Sequence, residues 1–222
     1  MGYIKWLGHA AFELELDGKI IYIDPWITNP LSPIRVEDIR AADIILVTHD
    51  HRDHLGEAID LARKTNAAFI SIYEISLKAS QEGVRKAIGM NIGGSLTVEG
   101  ITIIMTQALH SCERGNPTGF IIKGSEASIY HAGDTGLFYD MKLLGELYSP
   151  EIALLPIGGL FTMGPLEAAK AVELLKPRIV IPMHYNTFNA IMVDPGEFKK
   201  YVKEFHPQTE VVVLKPGERL NI

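Results

Sequence analysis

Along most of the chain, short apolar or alternating runs are separated by stretches with helical spacing of apolar positions. Residues 3–7, 11–16 and 19–24 read as strands, and Asp17-Gly18 marks a hairpin turn between the last two. Residues 28–36 carry Pro30 and Pro33 and read as a loop placed to cover a site. The apolar run 44–48 predicts a buried strand, followed by a helix over about 54–64 with Asp53 as its N-cap. A strand over 67–72 and a helix over 74–88 come next, and Gly89, Gly93, Gly94 and Gly100 punctuate two further strands. The second half repeats the theme. Strands at 118–123 and 126–131 flank Gly124, and a helix covers 139–148. Strand 152–157 then leads to helix 165–175, which opens with Pro165. Strand 179–183, helix 195–205 and strand 210–214 close the pattern.

Each half is thus a set of strands followed by strand–helix alternation. Two such halves bury their sheets face to face and place helices outside. The expectation is an α/β (α+β) chain forming one domain over 1–222, with two pseudo-equivalent halves of about 1–115 and 116–222. With 222 residues, 47% of them hydrophobic, the chain is long enough for one or two stacked cores. The formal charge of −6 and the lack of a Lys/Arg run exclude a surface for duplex nucleic acid, though not a small nucleotide substrate. One cysteine, Cys112, rules out a disulfide framework and reads as a small buried thiol. The opening residues do not resemble a signal peptide and no run is long enough to span a membrane. The reading is a cytoplasmic protein with a small-molecule substrate and no membrane partner, with homo-oligomerisation left open.

Candidate chemistry concentrates in His49-Asp50-His51-Arg52-Asp53-His54, directly after the predicted strand 44–48. Imidazoles suit zinc and its first-row neighbours, and a carboxylate adds negative charge that favours a second ion. His110, Asp134 and His184 each follow another predicted strand. One such residue alone would more often be a packing or capping group. Four strand ends that each deliver a metal-type ligand point to a site along one sheet edge.

His49-x-His51-x-Asp53-His54 with His110, Asp134 and His184 resembles the ligand set of the metallo-β-lactamase superfamily, and Asp24 fits the same pattern. Leu7-Gly8-His9-Ala10, Tyr130-His131-Ala132-Gly133-Asp134-Thr135-Gly136, Phe161-Thr162-Met163-Gly164-Pro165 and Pro182-Met183-His184-Tyr185-Asn186-Thr187-Phe188 are similar to a branch of small metal-dependent hydrolases related to the ascorbate-phosphate lactonases. The resemblance implies a four-layer αββα sandwich with two divalent ions per chain. Zinc is the usual metal, and manganese, nickel and iron also occur. His49, His51 and His110 would hold the first ion, Asp53, His54 and His184 the second, and Asp134 would bridge them.

Two ions roughly 3.5–4 Å apart share a hydroxide that attacks a small ester, lactone or phosphodiester, and they stabilise the charge that develops. Asp53 would additionally steer the hydroxide proton. Oxygen-reducing di-iron relatives carry a carboxylate where this chain has His54, which favours hydrolysis over redox chemistry. Two rival readings are an RNA-processing nuclease, disfavoured by the acidic charge, and a non-catalytic metal-binding or sensor protein, disfavoured by the complete ligand set.

Other residues carry two readings each. His9 is a substrate contact or a capped turn histidine; His131 orients a ligand or packs in the core. Asp24 reads as the anchor of a ligand histidine or a loop. Tyr185, Asn186 and Thr187 follow a ligand and would shape the pocket. The Gly-rich loop 158–164 is a tight turn or an anion cradle, and Arg114 a surface residue or a phosphate contact.

Overall fold

The computed structural model describes residues 2–222. The first sheet contains β1 (Tyr3–Trp6), β2 (Phe12–Leu16), β3 (Lys19–Ile23), β4 (Ile44–Leu46), β5 (Ala68–Ile72) and β6 (Ala87–Met90). The second contains β7 (Ser95–Val98), β8 (Ile101–Gln107), β9 (Thr118–Lys123), β10 (Ser128–His131), β11 (Ile152–Pro156), β12 (Ile179–Met183) and β13 (Glu210–Val211). A last strand, β14 (Arg219–Asn221), returns to the first sheet beside β1. The helices are α1 (Arg52–Leu55), α2 (Ala58–Thr65), α3 (Tyr73–Gln81), α4 (Met141–Tyr148), α5 (Pro165–Leu175) and α6 (Pro195–Phe205). No helix among the described residues is long and apolar enough to cross a membrane.

The strand orders are β14-β1-β2-β3-β4-β5-β6 and β13-β12-β11-β10-β9-β8-β7. Each sheet is antiparallel where hairpins join neighbours and parallel where helical crossovers intervene, from β3 to β6 and from β10 to β13. The two sheets with their outer helices form the four-layer sandwich expected from the sequence. The parallel strands β4, β5, β11 and β12 are buried along their whole length, as strands covered on both faces must be.

Four details depart from the sequence reading. The predicted helix over 74–88 stops at Gln81, where Gly83 turns the chain at φ +92°, and Ala87–Met90 pairs with β5 instead. Asp53 does not cap its helix: His51 occupies the N-cap and Asp53 lies in the first turn. That helix ends after one turn at Gly56 (φ +41°), where a side-chain carbon would stand 2.4 Å from the Trp26 Cα. The two sheets do not divide the chain near 115. β7 and β8 already pair into the second sheet, and β14 belongs to the first, because cross-strand partners rather than sequence position decide membership.

β3, β4, β8, β10 and β12 all end at one edge, which is where Asp24, His49, His110, Asp134 and His184 follow them. The sheets are stitched together there. Thr118 donates its backbone N–H (3.1 Å) and its hydroxyl (2.8 Å) to the Thr48 carbonyl, and the His184 N–H donates to the His9 carbonyl (3.0 Å). Gly133 (φ +63°) crosses the same seam, and a β-carbon there would lie 2.4 Å from the Thr118 carbonyl oxygen. Gly133→Ala is therefore expected to destabilise the fold by more than the ~1–2 kcal/mol that a left-handed non-glycine residue costs, read as a lower urea midpoint at unchanged slope.

Candidate metal centre

The donors converge in three overlapping groups whose ligand atoms lie within 4.8 Å of one another: His49, His51 and His110; His9, Asp53, His54 and His184; and His49, His54 and Asp134. His49 Nε2 and His51 Nδ1 face each other at 3.0 Å. Asp134 lies between the groups. Its Oδ1 is 3.2 Å from His54 Nε2, and its Oδ2 is 3.0 Å from His184 Nε2 and 3.5 Å from His110 Nε2.

Behind these donors stands Asp24, fully buried at the end of β3. It accepts from the Thr48 N–H (2.8 Å), the Thr48 hydroxyl (2.6 Å) and His54 Nδ1–H (2.7 Å). Because the Thr48 hydroxyl donates to Asp24, its lone pair is left to accept from His49 Nδ1–H at 3.0 Å. One carboxylate thus sets the tautomers of two histidines, one directly and one through a threonine, so that both Nε2 lone pairs face the cluster.

The donor set fits divalent metal on the structure's own evidence. His54 Nε2, Asp134 Oδ1 and both ring nitrogens of His184 are buried and lack a hydrogen-bond partner. The Asp134 contacts to His54 and His184 are short yet lack hydrogen-bond geometry, as expected when lone pairs aim at a shared point between them. Unpaired buried polar groups are costly, and a cation among them removes that cost.

The electrostatics are polarised. Burial opposes charging of His54, but the carboxylates Asp134 and Asp24 outweigh it and raise its affinity for a proton well above the usual range, so a proton is the competitor of a cation at Nε2. Burial likewise opposes the Asp134 charge, and His54 and His184 overcome it, so this carboxyl stays ionised well below the usual range. Asp53 is also held below its usual range: burial works against the charge, and the His9 hydrogen bond and the His54 charge prevail. His49 and His110 are pushed down by burial, which leaves them neutral and able to coordinate.

The structure places the remaining candidates as follows. His131 has no ring nitrogen left for chemistry: Nε2–H donates to the Ala10 carbonyl (3.0 Å) and Nδ1 accepts the Gly133 N–H (3.2 Å). It braces the turn that carries Asp134. Tyr185 stacks on Trp6 at 5.4 Å and is buried, with its hydroxyl pushed up to about 12 by that burial, so it packs behind the site. Asn186 (φ +57°) closes its own loop, accepting the Val193 N–H at 2.8 Å. Arg114 is bound to Asp50 at 3.1 Å, and at the N-terminus of α5 Glu167 accepts the Gly164 N–H. Cys112 is only half-buried, on the loop after His110.

Sequence reasoning missed Thr48, Asp50, Glu57 and Trp26. Asp50 accepts from the Glu113 N–H and the Arg114 N–H, which ties the His110 loop to the histidine cluster. Glu57 accepts from Ile27, Thr28 and the Thr28 hydroxyl and so fixes the loop bearing Trp26. Thr48 and Asp50 flank His49 and Trp26 lies two residues after Asp24, whereas nothing in the chain singled out Glu57. The rim of the site is apolar: Leu109, Leu160, Phe161, Phe188 and Met192 are exposed on loops that leave the same edge. Within the cluster, the Asp53 side chain is 31% exposed and that of His110 11%, so the centre opens to solvent on this side.

Residues 3–184 match the model of the beta-lactamase superfamily domain. The chain is 60% identical to a UPF0173 metal-dependent hydrolase of Caldivirga maquilingensis, over 100% of this chain and 99% of the relative. It is 56% identical to one of Thermofilum pendens, over 98% of both chains. Among solved structures it superposes on Igni18, a metallo hydrolase from the hyperthermophilic archaeon Ignicoccus hospitalis, with a TM-score of 0.92 and 45% identity, covering 99% of this chain and 97% of that one.

Two predictions follow from the second row of contacts. Asp24→Asn places an amide against His54 Nδ1–H or Thr48, and metal binding should weaken by about 10–100-fold, the usual cost of losing such a partner, as read by chelator competition. Protons and metal compete for His54 Nε2. Since its protonated form persists above the usual range, affinity for zinc should rise with pH and binding near neutrality should release protons, seen as a buffer-dependent heat in titration calorimetry.

Proposed function

The chain belongs to the beta-lactamase superfamily and, within it, to the UPF0173 metal-dependent hydrolases, and we propose that it hydrolyses a small ester, lactone or phosphodiester at a centre for two divalent ions. The observation that carries this reading is the pair of donor groups meeting at Asp134, with buried lone pairs that no protein donor satisfies. His49, His51 and His110 would hold one ion, Asp53, His54 and His184 the other, and Asp134 would contact both. Zinc suits this set of imidazoles and carboxylates best, with manganese, nickel and iron as alternatives.

When bound, such ions polarise the scissile bond and lower the pKa of water to about 7. The chain's own groups do the rest. Asp24 and Thr48 hold the His54 and His49 rings in the tautomers that leave Nε2 free. Asp134 keeps a negative charge in a buried setting, which offsets the cationic load of the centre. Asp53, the most exposed of the carboxylates there, would face the substrate beside its ligand role and would steer the proton of the attacking water by accepting a hydrogen bond. The apolar rim limits bulk water around the reacting groups and suits a small organic substrate better than a polyanion.

The test is metal-stripped protein refilled in turn with zinc, manganese, nickel and iron, assayed on bis(p-nitrophenyl) phosphate and on p-nitrophenyl esters. Metal-dependent turnover is expected on one of the two classes, with two ions per chain by mass spectrometry. His49→Ala, Asp134→Ala and His184→Ala should each lose more activity than the roughly 100-fold associated with an outer partner and should bind less metal. Two tightly held ions without turnover on any substrate would favour the sensor reading instead.

A further inference from the structure

His9 belongs to none of the strand ends that carry the other donors, yet its ring lies inside the cluster. It is fully buried in a left-handed conformation (φ +53°) directly after Gly8 (φ +92°). Its carbonyl is fixed from two sides, by Trp6 Nε1–H (2.9 Å) and the His184 N–H (3.0 Å). Its ring leans on that of His184 at 4.0 Å, with Trp26 and Phe188 edge-on at 5.3 and 5.5 Å. A side chain so enclosed has one orientation. It places Nε2 3.1 Å from Asp53 Oδ2 and Nδ1 2.9 Å from the Thr187 hydroxyl.

A carboxylate only accepts hydrogen bonds, so the nitrogen facing Asp53 carries the proton. The other nitrogen of the neutral ring then accepts, and Thr187 donates to it. Asp53 needs this partner more than the other donors do. It stands on a single-turn helix with its side chain part-exposed, where a carboxylate is otherwise free to rotate.

We propose that His9 is the positioning residue of the Asp53–His54–His184 group: its Nε2–H fixes one Asp53 oxygen so that the other faces the ion and the substrate, and the Thr187 hydroxyl, 2.9 Å from Nδ1, holds the ring at its far side. The role rests on the two-ion reading above. It competes with direct ligation by His9, because Nε2 cannot donate to Asp53 and coordinate at once.

Zinc titration against a chelator separates these roles. His9→Ala should weaken one of the two ions by about 10–100-fold and leave the other, held by His49, His51 and His110, at wild-type affinity. His9→Gln, whose amide N–H replaces Nε2–H, should restore most of the loss. Thr187→Val keeps the ring and removes the hydroxyl, and should weaken the same ion to a smaller degree even if His9→Ala fails to fold. A glutamine variant as weak as alanine would overturn the positioning role in favour of ligation. Wild-type affinity for both ions in His9→Ala or in Thr187→Val would overturn it outright. A single ion in the wild-type protein would instead overturn the two-ion reading, and this role with it.

Discussion

The carboxylate of Asp24 is the contact on which the site depends. It is fully buried, so its charge survives only because three donors surround it: the Thr48 backbone, the Thr48 hydroxyl and His54. Those donors come from the segment after β4, whereas Asp24 follows β3, so satisfying the charge also locks two neighbouring parallel strands in register at their ends. The tautomers of His49 and His54 follow from the same carboxylate. Replacing it with an apolar side chain of similar size would leave buried donors unpaired and remove the orientation of both donor groups together.

Much of this was legible in the chain before the fold was known. The apolar runs that became β4, β8, β10 and β12 each end in a residue with a lone pair to offer, and period and position alone carried that inference. What the residues could not disclose was pairing. Ala87–Met90 has no alternation of its own and becomes a strand because β5 offers it an edge. Asp53 has the residue type of an N-cap, but the chain enters the helix two residues earlier through His51. His131 and His9 each carried two readings in the sequence. Only tertiary contacts distinguish the ring whose nitrogens are spent on backbone from the ring that bonds Asp53.

The site is also bound into the loops that frame it. Asp50 holds the His110 loop, Glu57 the Trp26 loop and Asn186 the loop bearing Phe188. Each anchor is a side-chain acceptor for backbone N–H groups, so the loops are fixed by hydrogen bonds while their apolar side chains remain outward. Such a rim is stiff where it meets the donors and greasy where it meets solvent. That division lets the polar groups keep their geometry whatever the rim meets.

The origin of the donors in two sheets has a consequence for how the molecule assembles. His49, His51, Asp53 and His54 follow a strand of the first sheet, and His110, Asp134 and His184 follow strands of the second. Neither sheet alone carries a complete set, so the centre behaves as an internal interface that exists only after the two layers have docked. An ion seated there would act as a clasp between layers, binding the docked chain and not its separated parts. Free metal and the folded population would then be linked by mass action, by about 4 kcal/mol at a thousandfold excess over the dissociation constant. In a cell where metal is scarce, the same protein would be less active and shorter-lived for a single reason.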